Sequence, residues 1–295
     1  MSRPDILCIG SVLWDVIGRG PRPMQAGDDM PGRIMRIPGG VALNIAMELA
    51  RHGLRPALLS AIGQDAPGAE LTAACAQMGL LTQYMLHLPD LPTDSYMAIE
   101  GAGHLIAAMA DAHTLESAGE QILAPLVDGR LGDAQSPYAG GIALDGNLTE
   151  ALLSQIATGA LFSRADLRIA PASPGKAERL RPFITAGRGV LYVNLFEAGL
   201  LCEASFASAA QAAQALIAHG ARRALVTDGA RPCADACASS LYEAKPPAVT
   251  VTRVTGAGDT FMAAHIAAEQ GGANRADALN FAVTSAAGYV SKKGS

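Results

Sequence analysis

The sequence predicts an α/β fold: a mainly parallel sheet with helices on both faces, plus a small β-structured excursion. Three observations carry this. Compact apolar runs bounded by Gly or polar residues alternate with amphipathic runs almost throughout. Repeated strand-then-helix order builds a parallel sheet covered on both sides. The chain of 295 residues, 50% apolar and 17% charged, is long enough for one large domain with a sizeable core.

In chain order, residues 5–9 read as a first buried strand. Residues 13–37 are rich in Gly, Pro and Arg and carry no helix signal. Residues 41–52 form an amphipathic helix closed by Gly53, a good residue just past a helix end. Residues 57–61 read as a strand. Residues 94–109 read as a β-hairpin, with strands 94–99 and 104–109 and a turn Glu100-Gly101-Ala102-Gly103. Segments 13–37 and 94–109 leave the main sheet together as a lid, or separately as surface excursions; their spacing leaves both open. Residues 128–138 read as a loop. Strands follow at 141–144, 191–195 and 224–227. The helix at 206–219 places Phe206, Ala209, Ala210, Ala213, Leu216 and Ile217 on one stripe before Gly220. A β-like run at 248–254 precedes an Ala-rich helix ending near Gly271-Gly272. There is no internal repeat.

Composition excludes several functions. A net charge of −5 and 4% aromatics argue against phosphate-driven nucleic-acid binding and base stacking. No apolar run approaches the ~18 residues of a membrane span, and the N-terminus lacks the pattern of a signal peptide. Five cysteines form no even framework, which points to free thiols in a reducing cytoplasm. Cys233 and Cys237 have no His or second Cys pair nearby to complete a metal site.

The strongest chemical signal is Val254-Thr255-Gly256-Ala257-Gly258-Asp259-Thr260-Phe261. A tight turn at a helix N-terminus aims N–H groups at an anion. Asp259 there is either a helix cap or a general base taking a hydroxyl proton while the amides hold developing charge. The second signal is Pro38-Gly39-Gly40-Val41-Ala42-Leu43-Asn44: a plain helix start, or glycines admitting a hydroxylated ligand that Asn44 contacts. The third is Asn194-Leu195-Phe196-Glu197 at a strand end, where ligands of open α/β sheets bind. That pair either holds Mg²⁺ through water or simply starts a helix. Thr227-Asp228-Gly229 suits a nucleotide phosphate or an ordinary turn. Asp15 binds sugar hydroxyls or is a solvated acid. His265 reads as a core or rim residue. The phosphate-loop, dinucleotide, zinc-protease and serine-hydrolase fingerprints are absent.

On these motifs the chain resembles the ribokinase-like (PfkB) family of carbohydrate and nucleoside kinases. Gly39-Gly40…Asn44, continuing to Gly53 and Gly63, is similar to its N-terminal signature. Gly256-Ala257-Gly258-Asp259 is similar to its C-terminal one, and Asn194…Glu197 to its NxxE motif. The resemblance implies a single domain over 1–295: a three-layer α/β/α core with a small β lid formed by residues 13–37 and 94–109. It implies that Asp259 activates the acceptor hydroxyl, with Gly256, Ala257 and Gly258 as the anion hole. Asn194 and Glu197 would organise Mg²⁺; Thr227, Gly229 and Asn280 would border ATP; Asp15, Gly39, Gly40 and Asn44 would hold the substrate.

Within the family the chain is most similar to pseudouridine kinases. The stretches that carry this are Pro31-Gly32-Arg33-Ile34, Thr93-Asp94-Ser95-Tyr96, Ala110-Asp111-Ala112, Asp145-Gly146-Asn147 and Pro171-Ala172-Ser173-Pro174-Gly175-Lys176. This adds Ser95, Asp111 and Lys176 to the substrate pocket and implies phosphorylation of a nucleoside 5′-hydroxyl. Ribose, adenosine or a phosphosugar are the rival acceptors, the last because Arg19, Arg22, Arg33 and Arg36 lie in the lid region. A non-catalytic sugar or nucleoside sensor is the rival class. Two departures stand out: Arg231-Pro232 where the nucleotide loop of relatives has a second glycine, and Arg253 where many relatives carry an Asp that helps bind a monovalent cation. The latter implies activity without K⁺. The resemblance also implies a homodimer through lid edges, with no nucleic-acid or membrane partner.

Overall fold

The computed structural model describes residues 3–25, 27–102 and 104–292. The chain runs β1 (Ile6–Ile9), β2 (Leu13–Gly20), β3 (Arg33–Gly39), α1 (Val41–Arg51), β4 (Pro56–Leu59), β5 (Ala61–Gly63), α2 (Ala66–Gln77) and β6 (Leu86–Leu88). It continues with β7 (Ser95–Gly101), β8 (His104–Asp111), α3 (His113–Ala118), β9 (Gly141–Asp145), α4 (Glu150–Thr158), β10 (Asp166–Ala170), α5 (Arg181–Thr185) and β11 (Val190–Asn194). The last third holds α6 (Leu195–Cys202), α7 (Ala209–Ala218), β12 (Arg223–Asp228), β13 (Arg231–Cys237), β14 (Ser240–Ala244), α8 (Ala257–Gln270) and α9 (Arg275–Ser291).

The main sheet has eight strands in the order β14-β13-β12-β11-β10-β9-β1-β4. It is parallel from β4 through β12, and β13 and β14 add antiparallel strands at one edge. Side-chain alternation sorts the core into two layers. Leu7, Ile9, Ile142, Leu144, Leu191 and Val193 pack under the helices from α3 to α7. Ile6, Cys8, Ala143, Tyr192 and Leu225 face α1, α2, α8 and α9. This is the three-layer architecture expected.

A second sheet, β3-β2-β7-β8, stands apart from the first. β2 pairs antiparallel with β3 and parallel with β7, and β7 pairs antiparallel with β8. The two excursions therefore do leave together as one lid. Gly103 of the expected hairpin turn lies outside the described residues. The lid is fastened at its base by Trp14, whose Nε1–H donates to the Pro67 carbonyl at 2.9 Å, with the Arg36 guanidinium 4.2 Å above its ring. Arg36 also pairs with Glu70 of α2.

Three differences from the sequence reading have local causes. Residues 248–254 are not a strand; the N–H groups of Thr252 and Arg253 and the Thr252 hydroxyl bond to the end of α9 instead of to a sheet. Asp166 and Arg168 interrupt the apolar run of β10: Asp166 stays exposed, while Arg168 is buried in an ion network. Within it Arg168 pairs with Asp166 and Glu269, while Arg223 pairs with Glu269 and with fully buried Asp235, which also holds Arg275. His265 belongs to that network: its Nδ1 lies 2.8 Å from the Tyr192 hydroxyl, and burial pushes its pKa down to about 4. It is a core residue as expected. β13 and β14 escaped notice because their short polar-interrupted runs resemble loop.

The fully buried carboxylate of Asp145, at the end of β9, ties three segments together. Its Oδ2 accepts the Ser11 N–H (2.8 Å), the Ser11 hydroxyl (2.9 Å) and the Ala42 N–H in the first turn of α1 (2.9 Å). Its Oδ1 accepts the Asn147 N–H at 2.8 Å. Asp145→Ala strands these donors in the interior and should destabilise the fold by about 3 kcal/mol. Urea unfolding measures this; a loss below about 1 kcal/mol, the size of a surface change, would contradict the assignment.

Candidate active site

The site lies at the carboxyl ends of β1, β9 and β11, where α1 and α8 begin. Gly40 opens α1 with φ 101°, and a side chain there would collide with the Ser11 carbonyl. Gly39 is glycine for a second reason: any Cβ would meet the Asp15 carboxyl group. Both glycines thus serve close approach within the protein, which also brings the lid strand β2 against α1.

One turn into α1, Asn44 Nδ2–H donates to Asp259 Oδ2 at 2.9 Å, linking residues 215 positions apart. This contact joins the two glycine-rich motifs. Gly256 precedes α8 with φ 85°. The Ala257 N–H is taken by the Val254 carbonyl at 3.1 Å. That corrects one expectation, since Ala257 is not a free anion-hole donor. Among the described residues no protein acceptor meets the N–H of Gly258 or Asp259, and these two point out of the first turn unpaired.

Burial raises the pKa of Asp259 to about 7, with Asp145, Asp15 and Glu48 adding like charge and Asn44 pulling it back. Asp15 is likewise raised by burial to about 6. A carboxyl poised near neutrality, with one oxygen oriented by an amide and free N–H groups beside it, can accept a hydroxyl proton while anionic charge is held next to it.

The remaining expected residues divide. Lys176 reaches this end of the sheet: its Nζ donates to Asn147 Oδ1 at 2.7 Å, and Asn147 Nδ2 donates to Ser11 Oγ at 2.8 Å. Burial, then Arg179, lowers its pKa. Ser95 and Asp111 are not brought to Asp15. They pair in register with Trp14 and with each other, on the lid face opposite that of Asp15. Asp111 instead bonds His113 Nδ1 at 2.7 Å, which lowers its pKa. The residue that shares the face of Asp15 is Tyr96, and the nearby Asp15 charge joins burial in raising its pKa. Ser11 has no role in the sequence reading, and Asp145 and Asn147 enter it only through the family resemblance, without one; polar residues directly after buried strands are the available signal.

A separate cleft of about 930 Å³ is lined by Asn194, Phe196, Phe206, Thr227, Asp228 and Gly229, among others. It contains both strand ends expected to meet a nucleotide. Gly229 turns with φ 57°, and Arg231 behind it is held by Asp228 at 2.8 Å. Asn280 does not line this cleft; its amide donates to the Ala276 carbonyl of its own helix.

Asn194 and Glu197 form a capping box at α6: the Glu197 N–H donates to Asn194 Oδ1 at 2.9 Å, and the Asn194 N–H to Glu197 Oε2 at 2.8 Å. Glu197 Oε1 keeps no protein donor among the described residues. One free carboxylate oxygen fits a Mg²⁺ held through water, and not a cage of protein ligands. Among the described residues no group of three or more His, Cys, Asp or Glu is placed to hold a metal.

An α/β/α core with a separate β sheet, and a carboxylate oriented at a helix N-terminus, are the architecture of small-molecule phosphotransferases with a ribokinase-like fold. The pattern described as "pfkB family carbohydrate kinase" matches residues 3–295, and the chain belongs to that family. It is 29% identical over 283 residues to the pseudouridine kinase of Escherichia coli (strain K12), covering 94% of this chain and 87% of that protein. It is 28% identical to the uncharacterized sugar kinase YeiI of the same organism, over 95% of this chain and 76% of that one. Among solved structures, a carbohydrate kinase from Agrobacterium tumefaciens superposes with a TM-score of 0.80 at 26% identity, covering 97% and 90% of the two chains. The ribokinase of Arabidopsis thaliana complexed with ribose and ATP superposes at 0.79 with 19% identity, covering 100% and 95%.

A role for Asp259 as general base predicts that kcat/KM for the acceptor rises with pH through about 7, since a base acts only when deprotonated. Asn44 stabilises the charged carboxylate, so Asn44→Leu should move that acid limb to higher pH. A pH–rate profile of both proteins checks the direction; an unmoved limb would separate Asn44 from the titrating group.

Proposed function

We propose that the protein transfers the γ-phosphoryl group of ATP to the 5′-hydroxyl of a nucleoside, with pseudouridine as the acceptor. The observation that carries the transfer is the Asn44–Asp259 contact beside the two unpaired amides of α8. Asp259 Oδ2 is occupied by Asn44, so Oδ1 takes the acceptor proton as the new O–P bond forms and the bond to ADP breaks. The N–H groups of Gly258 and Asp259 hold the charge on the transferring group. Mg²⁺, when bound near Glu197, neutralises phosphate charge. ATP occupies the cleft beside Asn194 and Thr227.

For the acceptor, support comes from the pseudouridine kinase likeness and from the chain Lys176–Asn147–Ser11, which offers donors to a polar base. Asp15 and Tyr96 face the same space from the lid. A phosphosugar acceptor is less well served. Arg19 and Arg36, two of the four lid-region arginines, are already paired with Glu100 and Glu70. We place the reaction in the cytoplasm, consistent with five unpaired cysteines, and without a need for K⁺, since Arg253 stands where a cation-binding Asp would.

ATP consumption with Mg²⁺, with and without K⁺, against pseudouridine, uridine, ribose, adenosine and fructose 6-phosphate tests this reading. Turnover is expected on pseudouridine, within about twofold with or without K⁺, and at least roughly 100-fold lower in Asp259→Ala. Turnover of another acceptor alone would discard the pocket assignment. Binding without turnover of any would favour a sensor.

The lid further supports a homodimer. Its edges β3 and β8 meet no further strand among the described residues, and its outer face exposes Ile34 (79%), Met97 (54%) and Met109 (76%). Met109→Asp should convert a dimer to monomer in sedimentation equilibrium; a wild-type monomer would refute the pairing.

A further inference from the structure

The segment that delivers the Gly258 and Asp259 amides is held in an unusual way. Residues 245–256 belong to neither sheet, and the side chains of Val249, Val251 and Val254 are exposed. Apolar burial therefore does not fasten it. Its partners are the last carbonyls of α9, where the helix runs out of donors; that of Tyr289 also accepts the Lys292 N–H at 3.3 Å. The N–H groups of Thr252 and Arg253 both donate to the Val290 carbonyl, at 2.8 and 3.3 Å. The Thr252 hydroxyl lies 3.0 Å from the Val290 carbonyl and 2.7 Å from that of Lys292.

Two side chains lock this arrangement. The Arg253 guanidinium stacks over the Tyr289 ring at 3.7 Å, and its Nε–H donates to the Tyr289 carbonyl at 3.2 Å. A cation there also meets the negative end of the α9 dipole. The Tyr289 hydroxyl returns across the gap and donates to the Thr255 carbonyl at 3.1 Å. It fills the space a side chain on residue 256 would need, next to the left-handed Gly256. Residues 252–255 are thus tied to α9 on one side, while 256–259 form the turn that carries the site.

We propose that Arg253 and Tyr289 are positioning residues for phosphoryl transfer: by pinning 252–255 to the end of α9 they set the direction of the Gly258 and Asp259 N–H groups and hold the Asp259 carboxylate against Asn44. Their contacts are with each other and with the backbone of 252–256 and α9. The inference rests on the kinase reading for its kinetic arm only. Misaimed donors weaken transition-state contacts more than ground-state binding.

The test compares Tyr289→Phe, Arg253→Lys and Arg253→Ala with the intact protein, using ATP, Mg²⁺ and whichever acceptor of the panel the wild type turns over. Displacing a positioned group costs roughly 10- to 100-fold in kcat, and the expectation here is a fall in that range for Arg253→Ala. Smaller falls are expected for Arg253→Lys and Tyr289→Phe, with acceptor KM within about twofold throughout. Hydrogen–deuterium exchange supplies the arm independent of activity, with faster exchange expected at 252–260 alone. Unchanged kcat with unchanged exchange would overturn the proposal. So would a loss of kcat that only tracks a lower melting temperature and faster exchange throughout α8 and α9. Should the wild type turn over no acceptor, exchange alone decides: local loosening supports the latch, and none overturns it.

Discussion

The buried carboxylate of Asp145 is the constraint on which the site's geometry depends. It has no cation within hydrogen-bonding reach; its charge is met by N–H and O–H groups from Ser11, Ala42 and Asn147. Burial pushes its pKa up and those donors oppose the push. A buried carboxylate satisfied in this way is expensive to disturb. It therefore sets where β1 ends, where α1 starts and how closely the two approach. Gly10 is packed directly on that carboxylate, and Gly40 on the Ser11 carbonyl. Asn44 then falls where it can reach Asp259.

The same crowding of acids shapes the chemistry. Asp259 shares its surroundings with Asp15, Asp145 and Glu48, and loses solvent as well. A carboxyl held this way gives up stability when ionised and gains basicity at neutral pH. The single amide from Asn44 restrains the effect and selects which oxygen remains available. At the other end of α8, Glu269 is gripped by Arg168 and Arg223. The helix carrying Asp259 is therefore anchored by charge at its far end and by Asn44 at its N-terminal end.

The lid shows how register decides roles that residue type does not. Asp15 and Tyr96 share one face, while Trp14, Ser95 and Asp111 share the other. One position along a strand exchanges the face of Asp15 for that of Trp14. The outward face keeps apolar side chains that a solitary sheet has no reason to display.

Strands β1, β4, β9, β11 and β12 and helices α1 and α7 were legible from continuous apolar runs, and so were the glycine-rich helix starts, the lid segments and Asp259 as the residue at odds with an anion site. These are local properties: periodicity, turn chemistry and a charge out of place. Asn194 and Glu197 were legible as a strand-end pair, though not that each caps the other. Only the tertiary structure decided that Ala257 spends its N–H on Val254, that Ser95 and Asp111 turn away from Asp15, and that Asn280 bonds its own helix. It also decided that residues 248–254 bond to a helix end and not to a sheet. Each depends on what another segment offers as a partner, and a sequence records the donors and acceptors of a segment without recording which of them meet.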